Sequence, residues 1–394
     1  MLSCSRKERR GKETSVEMNE NSVICRLIRD DPDGWRETMR KLNVRVKEDG
    51  VLAMFNYGVA ADFTNLVVRE ARGIIIRLDS LDPVCWAFDK FCNPQEPGAA
   101  LDLDGFDWNR CRCQEKVDGS IVKLFFNPIS GEWQWATNAC MNAKDAEVAS
   151  GLERTFLDVI LKADDYGKIP FESLDRNVTY VFELVSPETQ VIVKYPTAHL
   201  YHTGARNLIS GKELNVDLGI EKPREFPLRS LDDCVKAAAE LNAGADGVRQ
   251  EGFVVVDPNW KRVKVKSPEY FEMHRLSANA TFSKEKIVDV LRRGETTVDA
   301  LAEDFPLYAV YFKYYAYRMA ELEFDVTRFV GMARNLYEEY SFDRKAVALA
   351  IRNRRLAQFG FAALGNEKTA KELLDGLSIG KYCKLIPDYE RNEL

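Results

Sequence analysis

The run Gln114-Glu115-Lys116-Val117-Asp118-Gly119-Ser120, leading into Ile121-Val122-Lys123-Leu124-Phe125-Phe126, decides how this chain is read. Its second half has the apolar, β-favouring content of a buried strand. Its first half sets a lysine, one spacer, an aspartate and a glycine at the entry to that strand. Lysine acts as a covalent nucleophile when a neighbouring cation or desolvation depresses its pKa and leaves a free amine. Glycine permits a turn and a close backbone approach that other residues resist. The aspartate suits either of two tasks, aiming the lysine or helping to hold a cation. Such a tetrad also arises by chance, so its weight depends on whether the chain supplies the other parts of a nucleotide-transfer site.

Downstream, Trp133-Gln134-Trp135-Ala136-Thr137 reads as a strand pairing back on Ile121–Phe126. Val178 to Val185 is a strongly β-forming run interrupted by Glu183. A carboxylate among Val, Tyr and Phe is costly to bury unless it is ion-paired or bound to a metal, and an edge position is the other solution. Val191-Ile192-Val193 and His199–Thr203 read as further short strands. Glu251 to Ser267 reads as two strands joined by an Asp257-Pro258-Asn259 turn. In the second of them, the period of two puts Val263 and Val265 on one face and Lys264 and Lys266 on the other. Two ammonium groups side by side repel unless water solvates them or a polyphosphate lies over them. Glu251, one strand away, is placed to hold a metal ion. Upstream, Ala71-Arg72-Gly73 sets an arginine at a strand entry, a good position for clamping a phosphate, and Lys90 is a second candidate cation.

The chain has 394 residues, 45% hydrophobic and 30% charged, with a formal net charge of −6. That length favours two domains with ample core. The acidic balance argues against a protein coated in nucleic acid but allows a basic groove on an acidic body. No apolar run is long enough to span a bilayer, and no membrane partner is expected. Nine cysteines at irregular spacing fit a reducing compartment, the cytoplasm. Cys111, Cys113 and Cys140 lack the Cys-x-x-Cys pairing of a zinc site. Residues 1–20 are nearly all polar and are expected to form a flexible charged tail, with patterned sequence beginning just after Met18.

Between Val23 and Gln95 the pattern is short strands and turns, with Asp31-Pro32-Asp33-Gly34 leading into a helix from Trp35. Ala146 to Lys162 has helical spacing. Beyond Tyr270 the pattern becomes helical, over Leu307–Leu322, Phe329–Tyr340, Arg344–Phe359 and Thr369–Leu377 among others. The run from Asp343 to Phe359 predicts Arg344, Arg352 and Arg355 near one helical face. The expected division is a catalytic domain over 21–275 and a helical domain over 276–394.

Lys116-Val117-Asp118-Gly119, Phe182-Glu183-Leu184-Val185, Glu251-Gly252-Phe253-Val254 and Val263-Lys264-Val265-Lys266-Ser267 stand in the order of motifs I, III, IV and V of the covalent nucleotidyltransferases. That superfamily contains DNA ligases, RNA ligases and mRNA capping enzymes. The chain most resembles the phage RNA ligase 1 family. Ala71–Ile75, Lys90–Asn93 and Ser186–Val193 match further elements of that family, and the likeness runs from about Leu52 to Tyr270. The resemblance implies an α+β protein, in which an antiparallel-sheet nucleotidyltransferase (ATP-grasp-like ligase) domain precedes a small all-helical C-terminal domain. A helical rather than β-rich end favours RNA ligase over its relatives. One departure is Ala136-Thr137-Asn138-Ala139, where the family is expected to carry a substrate-contacting lysine.

The activity implied is ATP-dependent RNA ligation in three steps. Lys116 attacks the α-phosphate of ATP to give lysyl-AMP, with Lys264 and Lys266 neutralising the phosphate and depressing the Lys116 pKa. AMP passes to a 5′-phosphate on RNA, and a 3′-hydroxyl then displaces it. Lys116, Asp118, Lys264 and Lys266 are the expected catalytic residues. Arg72, Lys90, Glu115, Gly119, Glu183 and Glu251 are expected to complete the ATP site. Mg²⁺ or Mn²⁺ would be attracted by Glu251 and by Glu183, which has ribose binding as its alternative. The RNA partner would be a broken strand such as cleaved tRNA, the setting RNA repair, the protein a monomer, and the compartment the cytoplasm, or the host cytoplasm for a viral protein. The competing readings are a DNA ligase or capping guanylyltransferase, and a non-catalytic RNA-end-binding module.

Overall fold

The computed structural model describes residues 22–148, 154–242, 249–277, 283–294, 297–364 and 368–389. The polar segment 1–20 lies outside them. Three antiparallel sheets precede a helical region, an α+β architecture. The first sheet takes its strands in chain order: β1 (Val44–Asp49), β2 (Leu52–Tyr57), β3 (Arg72–Arg77) and β4 (Asp82–Cys85). The next strands are β5 (Arg112–Lys116), β6 (Ser120–Asn127), β7 (Glu132–Thr137), β8 (Val178–Val185) and β9 (His199–Asn207). Then follow β10 (Glu213–Leu214), β11 (Glu225–Phe226), β12 (Gly252–Val256) and β13 (Arg262–Lys266). They form a five-stranded sheet ordered β10-β9-β8-β6-β7 and a four-stranded sheet ordered β11-β5-β12-β13.

Lys116 ends β5, and two of the three residues between it and β6 are buried, Val117 and Asp118. The chain passes from one sheet to the other at this point, so the lysine sits where the two sheets diverge. β8 pairs with both β6 and β9, which explains its near-continuous burial; Glu183 falls opposite Ile121 on one side and Tyr201 on the other. β13 alternates as its sequence predicts, with Val263 and Val265 buried in the sheet's core and Lys264 and Lys266 on the opposite face.

Four local expectations are corrected. Val23–Asp30 is a helix rather than part of a run of strands, because Ser22 caps it by accepting from Cys25 N. The helix expected over Ala146–Lys162 occupies only Phe156–Lys162, since Thr155 and Asp158 form a capping box that starts it there; 149–153 lie outside the described residues. Val191-Ile192-Val193 forms no strand. The amides of Ile192 and Val193 donate instead to the Asp118 carboxylate, at 2.8 and 2.7 Å. Finally, Asp343–Phe359 is two helices, Arg344–Ile351 and Ala357–Ala363. The break lets Val347 and Ile351 as well as Phe359 and Ala363 reach cores that include residues of one long helix, Ala309–Glu339. Arg344 and Arg355 consequently do not lie on one helix; each donates to a backbone carbonyl, of Leu364 and Leu385.

From Pro268 to Cys383 the described residues hold helices and no strand. Tyr270 and Ile192 belong to the same apolar cluster as Phe305, Phe312 and Tyr315, so the helical region is packed directly against the loop that follows β8. Gln190 Nε2 also donates to Asp304 O at 2.9 Å.

Candidate active site

Lys116, Gly252 and Lys266 lie side by side across β5, β12 and β13. Glu251 directly precedes Gly252, and its carboxylate bridges the two flanking lysines, 2.8 Å to Lys116 Nζ and 2.9 Å to Lys266 Nζ. Gly252 is required there: it has φ 150°, and an added Cβ would lie 2.1 Å from Val265 O. Gly119 serves a similar close approach, since a Cβ would lie 2.4 Å from Leu184 O. It lets the loop after Lys116 lie directly on β8, which carries Glu183.

These groups share one cavity of about 950 Å³. Arg72, Glu115, Lys116, Asp118 and Gly119 line it, as do Glu183, Glu251, Lys264 and Lys266. The expected residues are thus gathered from four strands, from the turn between β5 and β6 and from the residue before β12, with one exception. Lys90 does not line the cavity. Its ammonium donates to Glu96 at 3.1 Å and to Phe91 O at 3.2 Å, and lies 4.7 Å from the centre of the Phe63 ring. Its influence is indirect, through Lys264.

The electrostatics differ from expectation at Lys116. Burial acts to lower the Lys116 pKa, but Glu251, then Glu183 and Asp118, outweigh it and hold the lysine above its ordinary 10.5. Without substrate, Lys116 is therefore an ammonium clasped by Glu251, not an amine depressed by Lys264 and Lys266. The depressed lysine is Lys264: burial first, with Lys90 and Lys116 adding repulsion, lowers it to about 7. Glu96 opposes this; burial would raise its own pKa, yet Lys264 and Lys90 hold it at about 2.

Glu183 is pushed up to about 7 by burial, with Glu251 adding to the effect and Lys116 opposing it. It makes no ion pair within 4 Å with a described residue. Arg72 stands over the Phe91 ring at 5.1 Å, and its Nη1 is buried without a hydrogen-bond partner. Glu115 faces Arg224 at 3.7 Å, and burial still raises its pKa.

Asp118 has a different job from holding a cation. One carboxylate oxygen accepts from Ile192 N and Val193 N, and the other accepts from Tyr270 OH at 2.6 Å. Burial and Glu251 push its pKa up to about 6 against those three bonds. The aspartate two residues after Lys116 therefore ties together the loop after β8 and the first helix beyond β13. Sequence reading missed Tyr270, Ile192 and Val193 as partners. A signal for Tyr270 existed: Ser267-Pro268 after β13 is a helix-start pair, and Ser267 Oγ does accept from Tyr270 N at 3.1 Å.

At the segment expected to carry a lysine, Thr137, Asn138 and Ala139 line the cavity instead. Lys123, on the neighbouring strand, is fully buried and donates to Gly73 O at 2.6 Å, so it supplies no cation to the cavity.

Glu183 and Glu251 are the residues that would hold a divalent ion. No group of three His, Cys, Asp or Glu suited to a metal occurs among the described residues. Mg²⁺ is commonly held by one or two carboxylates plus water and substrate phosphates. Glu183, a half-buried carboxylate without a cationic partner in contact, and Glu251, already shared by two lysines, match that pattern.

Residues 70–270 match the model of the RNA ligase family. A protein described as a bifunctional polynucleotide kinase/RNA ligase of Autographa californica nuclear polyhedrosis virus is 28% identical over 287 residues. The alignment takes in 66% of this chain and 39% of that relative, so the chain spans well under half of its length. The RNA ligase of Rhodothermus phage RM378 is 25% identical over 318 residues, covering 66% of this chain and 72% of the relative. A solved archaeal ATP-dependent RNA ligase is similar over 73% of this chain and 74% of its own, with 15% identity and a TM-score of 0.42. Because the family match takes in about half of the chain, from just before the strand that opens with Arg72 to the helix that carries Tyr270, the protein belongs to the RNA ligase family.

Proposed function

We propose that this protein is an ATP-dependent RNA ligase that joins a 5′-phosphate to a 3′-hydroxyl through a lysyl-AMP and an RNA-adenylate. The observation that carries this reading is the single carboxylate of Glu251 shared by Lys116 and Lys266, within a cavity that also holds Lys264 and Arg72. The cations that line the cavity, Arg72, Lys116, Arg262, Lys264 and Lys266, offer partners for a polyphosphate. Release of the Glu251 contact when ATP enters removes the main interaction keeping Lys116 protonated, and the proton of its ammonium leaves to solvent. The freed amine attacks the α-phosphorus. A nitrogen–phosphorus bond forms as the bond to pyrophosphate breaks, while Lys264 and Lys266 balance charge on the phosphoryl oxygens.

In the second step the adenylate passes to the 5′-phosphate of RNA and Lys116 is released. In the third, a 3′-hydroxyl oxygen attacks that phosphate and AMP leaves. Mg²⁺ or Mn²⁺, held by Glu183 and Glu251, would supply Lewis-acid stabilisation of charge on the transferred group. Arg72 is suited to the distal phosphates or the ribose edge. We assign the reaction to RNA repair, with cleaved tRNA as a candidate substrate, in a reducing cytoplasm. The eight described cysteines, all free and buried, support that compartment.

Incubation with α-labelled ATP and Mg²⁺ or Mn²⁺, followed by denaturing electrophoresis, tests the first step. Wild type should carry the label, and Lys116→Ala and Lys116→Arg should not. Lys116→Ala should still seal RNA supplied with a preformed 5′-adenylate. Full labelling of Lys116→Ala would remove Lys116 as the nucleophile.

A further inference from the structure

Five cationic residues line the cavity, Arg72, Lys116, Arg262, Lys264 and Lys266, and all lie on the strands of its floor and walls. The same cavity reaches the start of the long C-terminal helix, where His274, Phe305, Tyr308 and Tyr311 line it, and it also takes in Phe156 and the acidic Asp145, Glu147 and Glu188 of the catalytic region. At about 950 Å³ it stands at the top of the roughly 300–1,000 Å³ range of small-molecule sites. A phosphate-binding end and an aromatic end in one enclosure call for a ligand with both a charged and a flat, uncharged part.

We propose that the aromatic end is a nucleobase subsite, in which the unpaired terminal base of an RNA end stacks on Tyr308 and Tyr311 while its phosphate or hydroxyl faces Lys116. This rests on the reading of the site as one that joins RNA ends. Stacking on aromatic side chains is the sequence-tolerant way to hold an unpaired base, because every base presents a π-face. The platform is braced. The Tyr311 ring has its centre 4.7 Å from that of Tyr389 and 6.1 Å from that of Tyr308, and Tyr389 packs in turn on Tyr314 at 5.2 Å.

The subsite is also tied to the nucleophile. Gln190 and Val191 also line the cavity. Gln190 reaches Asp304 O, next to Phe305, and the following residues are held by Asp118, two residues from Lys116. A base on the tyrosines thus has a fixed register with the reacting atoms. The base belongs either to the 5′-phosphate strand or to the 3′-hydroxyl strand.

The test uses the full chain and its Tyr308→Leu/Tyr311→Leu variant, leucine being chosen to keep the apolar packing. Substrates are single-stranded RNAs that are intact, abasic at the 5′-terminal nucleotide, or abasic at the 3′-terminal nucleotide. Sealing KM and direct binding by fluorescence anisotropy are both measured. For wild type, one of the two abasic ends should weaken KM and binding by roughly 10-fold to 100-fold, and which end does so identifies the strand. The variant should show the same loss with intact RNA and no further loss with that abasic end, while its KM for ATP in self-adenylylation is unchanged. A variant that still discriminates against the abasic end overturns the subsite, as does a wild type indifferent to both. A raised KM for ATP overturns it in favour of adenine at the tyrosines. Loss of lysyl-AMP formation in wild type would instead sink the ligase reading, and the anisotropy result would then decide the subsite alone.

Discussion

Replacing Lys264 with methionine should abolish adenylylation and, in mildly acid solution, stabilise the protein. Burial and neighbouring lysines lower the Lys264 pKa from 10.5 to about 7. The unfolded chain therefore binds this proton more tightly than the folded one. The neutral lysine's contribution to stability is full above pH 10.5 and is lost as pH falls through about 7. At about 1.4 kcal/mol per pH unit, the charged lysine costs up to roughly 5 kcal/mol at pH 6 and about 2 at pH 9. The absolute values shrink with solvent access to the cavity and with the packing of the new side chain. The packing contribution is the same at both pH values, so the difference is the better observable. The stability of Lys264→Met relative to wild type should fall by roughly 2–3 kcal/mol between pH 6 and pH 9. Urea unfolding at the two pH values, without ATP, measures it. The proton count of ATP binding near pH 8 should be more positive in wild type than in the variant by up to about one proton, the one taken up by Lys264, which calorimetry in buffers of different ionisation enthalpy detects. A relative stability that does not change with pH would refute the assignment of Lys264 as a strained cation awaiting phosphate.

Three further outcomes follow from the same geometry. Asp118→Ala strands two amides and the Tyr270 hydroxyl, a loss of about 3 kcal/mol in chemical denaturation. Asp118→Asn should be near neutral at pH 7, because it also removes a carboxylate whose pKa of about 6 means that its stabilising contribution fades as pH rises through 6. Gly252→Ala drives a Cβ into Val265 O and should cost about 2–4 kcal/mol, with adenylylation falling further than the folded fraction because Glu251 loses its place between the lysines. Glu251→Gln should make Lys116 more reactive toward an acylating reagent at pH 8, read by peptide mass mapping, while lowering adenylylation. Unchanged acylation would mean that Glu251 does not hold the proton on Lys116.

Much of the catalytic region was legible in the chain because its signals are local. The β6–β7 hairpin and the alternation that sorts Val263 and Val265 from Lys264 and Lys266 depend on neighbours in sequence, whereas Lys116, expected at the entry to β6, ends the preceding strand β5. The order of the motifs was enough to suggest the family. Tertiary structure decided what the charges do. Whether Lys116 is an amine or an ammonium depends on Glu251, 135 residues away, and no local pattern reports that distance. Lys90 looked like a phosphate ligand until Glu96 occupied it, and Asp118 looked like a possible metal ligand until three donors from remote segments occupied its oxygens. Val191–Val193 has the composition of a strand, yet its amides found a carboxylate first. Propensity and period act over a few residues, whereas a buried charge takes its state from whatever the fold brings within a few ångströms.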